Sequence, residues 1–567
     1  MFATLPTDYR LFLNWTWAQL DPYYQDLQQR ALTADNVATW LSDWSRLNKT
    51  VQEIYSRLHV ASTLNTADAE AERNYLTFLG EVYPKVEEAE QGLKQKLLAS
   101  GLKPDGMDIA LRNMRAEAEL YREANLPLLT ENRKQGQQYN KIVGAQTVVW
   151  DGQEITLQQI RPILHTPDRG TRERVWRLAA QRWLADRAAI NELWGQMVPL
   201  RQQIARNAGY DDFRGYTWLD RQRFDYTPEN CLEFHAAIEA VVVPAATRIY
   251  DRARRKLNVE TLRPWDLDLD RDPINLPALH PFQTIDELIS KSAAIFQHVD
   301  PQLGEYYATM RREGLLDLDN RKGKAPGGYC TEYPITQRPF IFMNSVGVRD
   351  DVRTMLHESG HAFHVFETAH LPYVQQLQIT MEIAEVASMS MELLAAPYLS
   401  DKYGGFYTGD DYAHDRIEHL ERIILFWPYM AVVDAFQHWV YTNPNGADPA
   451  ACDAKWAELH QRFMPGVDWS GLEAEMMTGW HRKQHIHRSP FYYVEYGLAQ
   501  LGAVQVWANA LKDQAGALAA YRRALSLGAT KPLPELYAAA GAKFAFDAGT
   551  LRMAVDLIET TIAQFEG

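Results

Sequence analysis

Residues 350–371 read DDVRTMLHESGHAFHVFETAHL, and the rest of the chain is best read outward from them. Asp350 or Asp351 can cap a helix N-terminus. Val352, Met355, Leu356 and Phe363 form an apolar stripe, and Pro372 follows the end, so the pattern predicts one helix. On that helix His357 and His361 are four residues apart. At about 100° per residue they fall about 40° apart on one face, one turn above the other. Two imidazoles so placed can share one Zn²⁺. Glu358, next to the first, is badly placed to bind the same ion but well placed to reach a water on its open side. Gly360 lies mid-helix, where glycine costs about 1 kcal/mol relative to alanine. Such a cost points to something packing very close at Gly360.

The third ligand is harder to read. A metzincin pattern would need glycine at 364 and histidine at 367, and the chain has His364 and Glu367. Glu367, six residues beyond His361, falls on the wrong side of the helix to share the ion. The next helical segment, 380–396 (TMEIAEVASMSMELLAA), offers Glu382, Glu385 and Glu392. Glu382 and Glu385 share a face, and spacing alone does not choose between them.

A second concentration of chemistry lies at 480–501, WHRKQHIHRSPFYYVEYGLAQL, with three histidines and three tyrosines. Tyrosine hydroxyls and imidazole N–H groups are suitable donors for an oxyanion. The alternative is an aromatic helix packed into the core.

The segments HESGHAFH and AEVASMSMELL together resemble the thimet oligopeptidase and oligoendopeptidase F family of zinc metallopeptidases. That resemblance implies Glu385, in Glu385-Val386-Ala387-Ser388, as the third zinc ligand beside His357 and His361. It makes Glu382 a carboxylate that orients a histidine, and leaves His364 a structural role. It also maps His485, Tyr493 and Tyr496 onto the family's downstream catalytic region, with His481, His487 and Tyr492 as rivals. Glu358 becomes the base for a water activated by one Zn²⁺ per chain. The likeness is strongest over about 320–500 and weaker upstream, in RQQIARNAGYDDFRGYTW and RRKLNVETLRPWDLDL. The fold implied is mainly α, a neurolysin-like zincin of two helical lobes around a deep channel with zinc at its floor. A small β element lies beside the active-site helix. The division expected along the chain is an N-terminal helical domain over 1–160 and a catalytic domain over 161–567. The activity implied is endopeptidase cleavage of short unstructured peptides. The alternatives are a metallocarboxypeptidase or dipeptidyl carboxypeptidase and, outside enzymes, a helical binding protein with a structural zinc.

The remaining sequence agrees with a large helical protein. Of 567 residues 46% are hydrophobic and 23% charged, with 16 Trp and 28 Tyr to pack long helices together. Residues 16–130 and 168–208 read as amphipathic helices, the latter stopping at Gly209. Residues 140–160 hold β-branched runs split by Asp151-Gly152, a hairpin-turn signal and a candidate hinge between lobes. Residues 327–344 (GGYCTEYPITQRPFIFMN) read as two strands whose edge could pair with an extended peptide or merely brace the motif helix. The segment 264–282 reads as a loop. Its Asp266, Asp268 and Asp270 are spaced like a calcium loop. Arg271 and Pro277 stand where that loop needs glycine and glutamate, so calcium is not expected. A net charge of −15 argues against nucleic acid. Three scattered cysteines, Cys231, Cys330 and Cys452, fit a reducing compartment. With no basic-then-apolar N-terminus and no uninterrupted run of about 18 apolar residues, neither export nor a membrane span is expected, and the placement is cytoplasmic.

Overall fold

A computed structural model describes residues 2–268, 271–274 and 279–566. The chain is mainly α, as expected, with small sheets only. It divides into two compact units, each assembled from three stretches of chain. Unit 1 comprises Met1–Ala118, Leu279–Tyr412 and Gly502–Phe544, and unit 2 comprises Glu119–Ala278, Ala413–Leu501 and Ala545–Gly567. Compactness therefore divides the chain differently from the linear split at 160/161.

In unit 1 the N-terminal helices Trp17–Gln29, Val37–Leu64 and Tyr83–Ser100 bury a core that includes Trp40, Trp44, Leu47, Ile54 and Leu97. Within the 16–130 stretch read as amphipathic helices, Ala69–Thr77 and Tyr83–Ser100 are joined by one π-helical turn, Phe78–Val82. Pro84 follows that turn and cannot donate the hydrogen bond that a regular helix would require of it.

The expected strand pair is present as Tyr329–Tyr333 and Arg338–Ser345, antiparallel, with Cys330 opposite Ile341. A third strand, Leu316–Asp319, runs parallel to Arg338–Ser345 on its other side. Tyr329–Tyr333 is thus an edge strand. The turn at its end is held by the fully buried Glu53, which accepts from the backbone N–H groups of Ile335 (2.7 Å) and Thr336 (3.0 Å). Arg57, paired with Glu53, lies over the rings of Tyr9 and Tyr333 at 3.5 and 3.9 Å from their centroids.

Unit 2 contains the second hairpin, Thr147–Trp150 with Gln153–Thr156. Asp151 and Gly152 have φ of 49° and 79°, the left-handed pair that a two-residue turn requires. This hairpin lies wholly inside unit 2, so it is not a hinge between the two units. The 168–208 segment is two helices, Arg169–Ala185 and Arg187–Ala208, parted at Asp186 and closed by left-handed Gly209. In the 264–282 loop the acidic residues are taken by arginines. Asp266 is bound by Arg169 and Arg172, and Asp268 by Arg161. Asp270 and Pro277 lie outside the described residues. One helix, Gly409–Thr442, is long and apolar enough to cross a membrane by length and composition, but its most apolar 18-residue window is 83% buried within the protein. That is the exposure of a core helix.

Candidate active site

The motif helix spans Arg349–Thr368. Asp351 starts it from within the first turn, one carboxylate oxygen accepting from the N–H groups of Val346, Gly347 and Val348 at 2.8–3.0 Å. The predicted stripe of Val352, Met355, Leu356 and Phe363 is buried. Against the other side of Gly360 lies the helix Met381–Ala395. A Cβ at Gly360 would stand 2.6 Å from both the Ala387 carbonyl oxygen and the Ser388 Cα. Glycine is required because the second backbone occupies the space a side chain would need.

This close approach sets the carboxylates of the second helix opposite the histidines. Glu385 Oε2 lies 3.3 Å from His357 Nε2 and 3.8 Å from His361 Nε2. Donor atoms of the three residues all lie within 4.8 Å of one another. Two ligands held at about 2.1 Å in a tetrahedron are about 3.4 Å apart, so this spacing fits a zinc ion between them. Each partner is in turn held. Ser388 Oγ donates to Glu385 Oε2 at 3.0 Å, and His357 Nδ1 lies 2.8 Å from Glu392 Oε1. The second bond leaves His357 Nε2 facing Glu385 and selects its tautomer.

The carboxylate that orients His357 is Glu392. Glu382 is buried at the start of its helix, where its backbone carbonyl accepts from Tyr537 Oη at 3.3 Å. Glu392 is seven residues from Glu385, two turns on nearly the same face, and that spacing was the signal available in the sequence. His364 is buried in the core and is not part of the cluster, and Glu367 pairs with Arg522 at 2.7 Å.

Glu358 lies beside the edge strand, close to the backbone of Cys330. Burial, reinforced by Glu385 and opposed by His357, pushes its pKa up to about 6. Burial and the neighbouring His357 push His361 down to about 4. For His357 burial acts downward, but hydrogen bonds to Glu385 and Glu392 outweigh it and raise the pKa.

In unit 2, His485 sits among three tyrosines. Its ring centroid is 5.0 Å from Tyr493, 5.8 Å from Tyr492 and 6.1 Å from Tyr496. The turn that carries it is held by Arg201, itself buried, which donates to Tyr441 Oη (2.7 Å) and to the carbonyls of Ile486 and His487. The tyrosines follow Phe491, whose φ of 62° is unusual for a bulky residue. That strained turn is fixed on several sides. Gln437 accepts from the Phe491 N–H at 2.7 Å, and Arg221 and Arg223 donate to the Pro490 and Phe491 carbonyls. Both arginines also bind the buried Glu495. Backbone strain kept by this many bonds is a mark of functional sites. The rival histidines are core residues. His481 is bound to Asn191 at 2.9 Å, and His487 is stacked 4.1 Å from Tyr139. Burial, with Lys483, Arg221 and Arg488 nearby, pushes His485 down to about 4, so it is a neutral imidazole at pH 7.

Sequence comparison agrees with this architecture. Residues 163–555 match the profile of peptidase family M3, and residues 13–120 match the peptidase M3 N-terminal domain. The chain belongs to peptidase family M3. Among curated proteins, the oligopeptidase PepF of Bacillus subtilis (strain 168) is 25% identical over 237 residues. That match spans 40% of this chain and only 34% of PepF, about a third of the relative's length. Among solved structures, PZ peptidase A, determined with an inhibitor, is 26% identical with a TM-score of 0.85, covering 100% of this chain and 99% of its own. A structure assigned to oligoendopeptidase F is 26% identical with a TM-score of 0.86, covering 99% and 98%. The chain has the helical fold of its M3 relatives, and the family resemblance is borne out.

Proposed function

We propose that this M3 peptidase is a zinc-dependent endopeptidase of short, unstructured peptides, with the ion held by His357, His361 and Glu385. The observation that carries the reading is the convergence of these three donors, within 4.8 Å of one another, beside the carboxylate of Glu358. When bound, zinc supplies a Lewis acid for the peptide carbonyl and makes water a nucleophile near neutral pH.

The chain's own residues do the rest. Glu358 takes the proton of the attacking water on a carboxylate oxygen and later delivers it to the leaving amine. Glu392 holds Nδ1 of His357, and Ser388 holds Oε2 of Glu385, so the donors are oriented before any metal arrives. An extended substrate adds to the outer edge of Tyr329–Tyr333 by main-chain pairing, which tolerates many side chains. His485, Tyr493 and Tyr496 supply N–H and O–H donors to the oxyanion. The name of the PepF relative, an oligopeptidase, supports the substrate class.

The test is a digest of a peptide library of graded length, with and without a chelator, read by mass spectrometry. Internal cuts confined to short peptides and abolished by chelation are expected. Cuts that persist in chelator would remove the metal from the reading, and loss of C-terminal units alone would make the enzyme a carboxypeptidase.

A further inference from the structure

A second set of metal-binding side chains lies in unit 2, made by two helices that each present a pair of polar residues one turn apart. The helix Pro228–Lys256 carries Cys231 and His235, and the helix Gly409–Thr442 carries Asp434 and His438. Both pairs are spaced i, i+4, so each lies on one face of its helix. All four residues are buried, Cys231 and Asp434 completely. Donor atoms of Cys231, Asp434 and His438 lie within 4.8 Å of one another. His438 Nε2 is 3.3 Å from Asp434 Oδ2, the ligand-to-ligand spacing seen at the His357 site.

The hydrogen bonding of this cluster is incomplete. His235 Nε2 holds Asp434 Oδ2 at 2.9 Å. The other oxygen, Oδ1, accepts no hydrogen bond, His438 Nδ1 has no partner among the described residues, and His438 Nε2 meets only the Oδ2 that His235 already holds. Buried polar atoms in native proteins are nearly always satisfied, and a carboxylate oxygen and an imidazole nitrogen left over in one cluster call for an ion or water. Rings of Trp218 and Phe491 stand 5.6 and 5.3 Å from the His438 ring.

We infer that Cys231, Asp434 and His438 bind a second divalent transition-metal ion, separate from the catalytic zinc, which clasps the helix Pro228–Lys256 to the helix Gly409–Thr442. A thiolate, an imidazole and a carboxylate form a donor set for zinc or cobalt, and a poor one for magnesium or calcium. His235, bonded to Oδ2, orients Asp434 as carboxylates and imidazoles orient one another around protein-bound metals. The role is structural, because the cluster is enclosed by its own unit.

The thiolate makes the site separable from the catalytic one, whose three ligands include no sulfur. Metal-stripped protein is titrated with Co²⁺ in a phosphine reductant while metal uptake and the absorption spectrum are recorded. Two equivalents are expected, one of them raising a thiolate-to-cobalt charge-transfer band in the near ultraviolet. His357→Ala with His361→Ala should keep that band and one equivalent. Cys231→Ser should lose the band while Cys330→Ser and Cys452→Ser keep it. Absence of the band in the wild-type protein at saturation overturns the assignment without recourse to any variant, and so does its survival in Cys231→Ser.

Discussion

Glu358 and Glu392 show how two carboxylates a few ångströms from the same histidine take different parts. Glu358 adjoins the site without being one of its three converging donors, whereas Glu392 holds the far nitrogen of His357, Nδ1. Removing them should therefore fail in different ways. Glu358→Gln keeps the shape and the metal but has no proton acceptor; turnover should fall by about 10²–10⁴-fold or more with zinc content unchanged. Near-normal turnover in that variant would sink the scheme. Glu392→Gln should instead lower zinc affinity by about 10–100-fold and leave much of kcat at saturating zinc, as measured by competition with a chromophoric chelator. Glu358 was legible because it adjoins the histidine pair. Glu392 is legible only as one of three carboxylates on the next helix, because which of them faces His357 depends on how the two helices pack.

At the scale of elements, the site exists because two helices touch backbone to backbone. The sequence carried half of this in Gly360, whose mid-helix cost implied a close neighbour. It could not name the neighbour, since which backbone lies there depends on tertiary packing. The structure identifies it as Ala387-Ser388, one turn beyond Glu385. Gly360→Ala places a methyl where the helices meet, with atoms at 2.6 Å that belong to backbone and cannot swing aside. The helices must separate, at a cost of about 1–3 kcal/mol. The denaturation midpoint should drop accordingly, and zinc should bind more weakly because Glu385 recedes from the histidines. Unchanged stability would mean that the helices slide without loss. The three-stranded sheet was read only in part for a related reason. The hairpin strands are adjacent in sequence, whereas Leu316–Asp319 joins in parallel from a separate stretch and has only four residues of its own to announce it.

Over the whole molecule, the chain passes repeatedly between its two compact units. Composition and periodicity mark where helices begin and end; they do not mark which later stretch returns to pack against an earlier one. The proposed zinc ligands His357, His361 and Glu385 belong to unit 1, and the proposed donors His485, Tyr493 and Tyr496 belong to unit 2. The supports of the His485 cluster, Arg201 and the Arg221–Arg223–Glu495 group, are also in unit 2. Metal binding and oxyanion stabilisation should then be separable by mutation. His485→Ala is expected to lower kcat by about 10²–10³-fold, the usual cost of losing one oxyanion donor, with zinc affinity unchanged. Tyr496→Phe, which removes one hydroxyl and keeps the ring, should act in the same direction while leaving the stacking around His485 in place. His481→Ala and His487→Ala remove core contacts and should lower the melting temperature before they touch kcat. A kcat loss in His481→Ala equal to that in His485→Ala, at unchanged stability, would reassign the donor. A fall in zinc affinity in His485→Ala would show that the two halves of the chemistry are not independent.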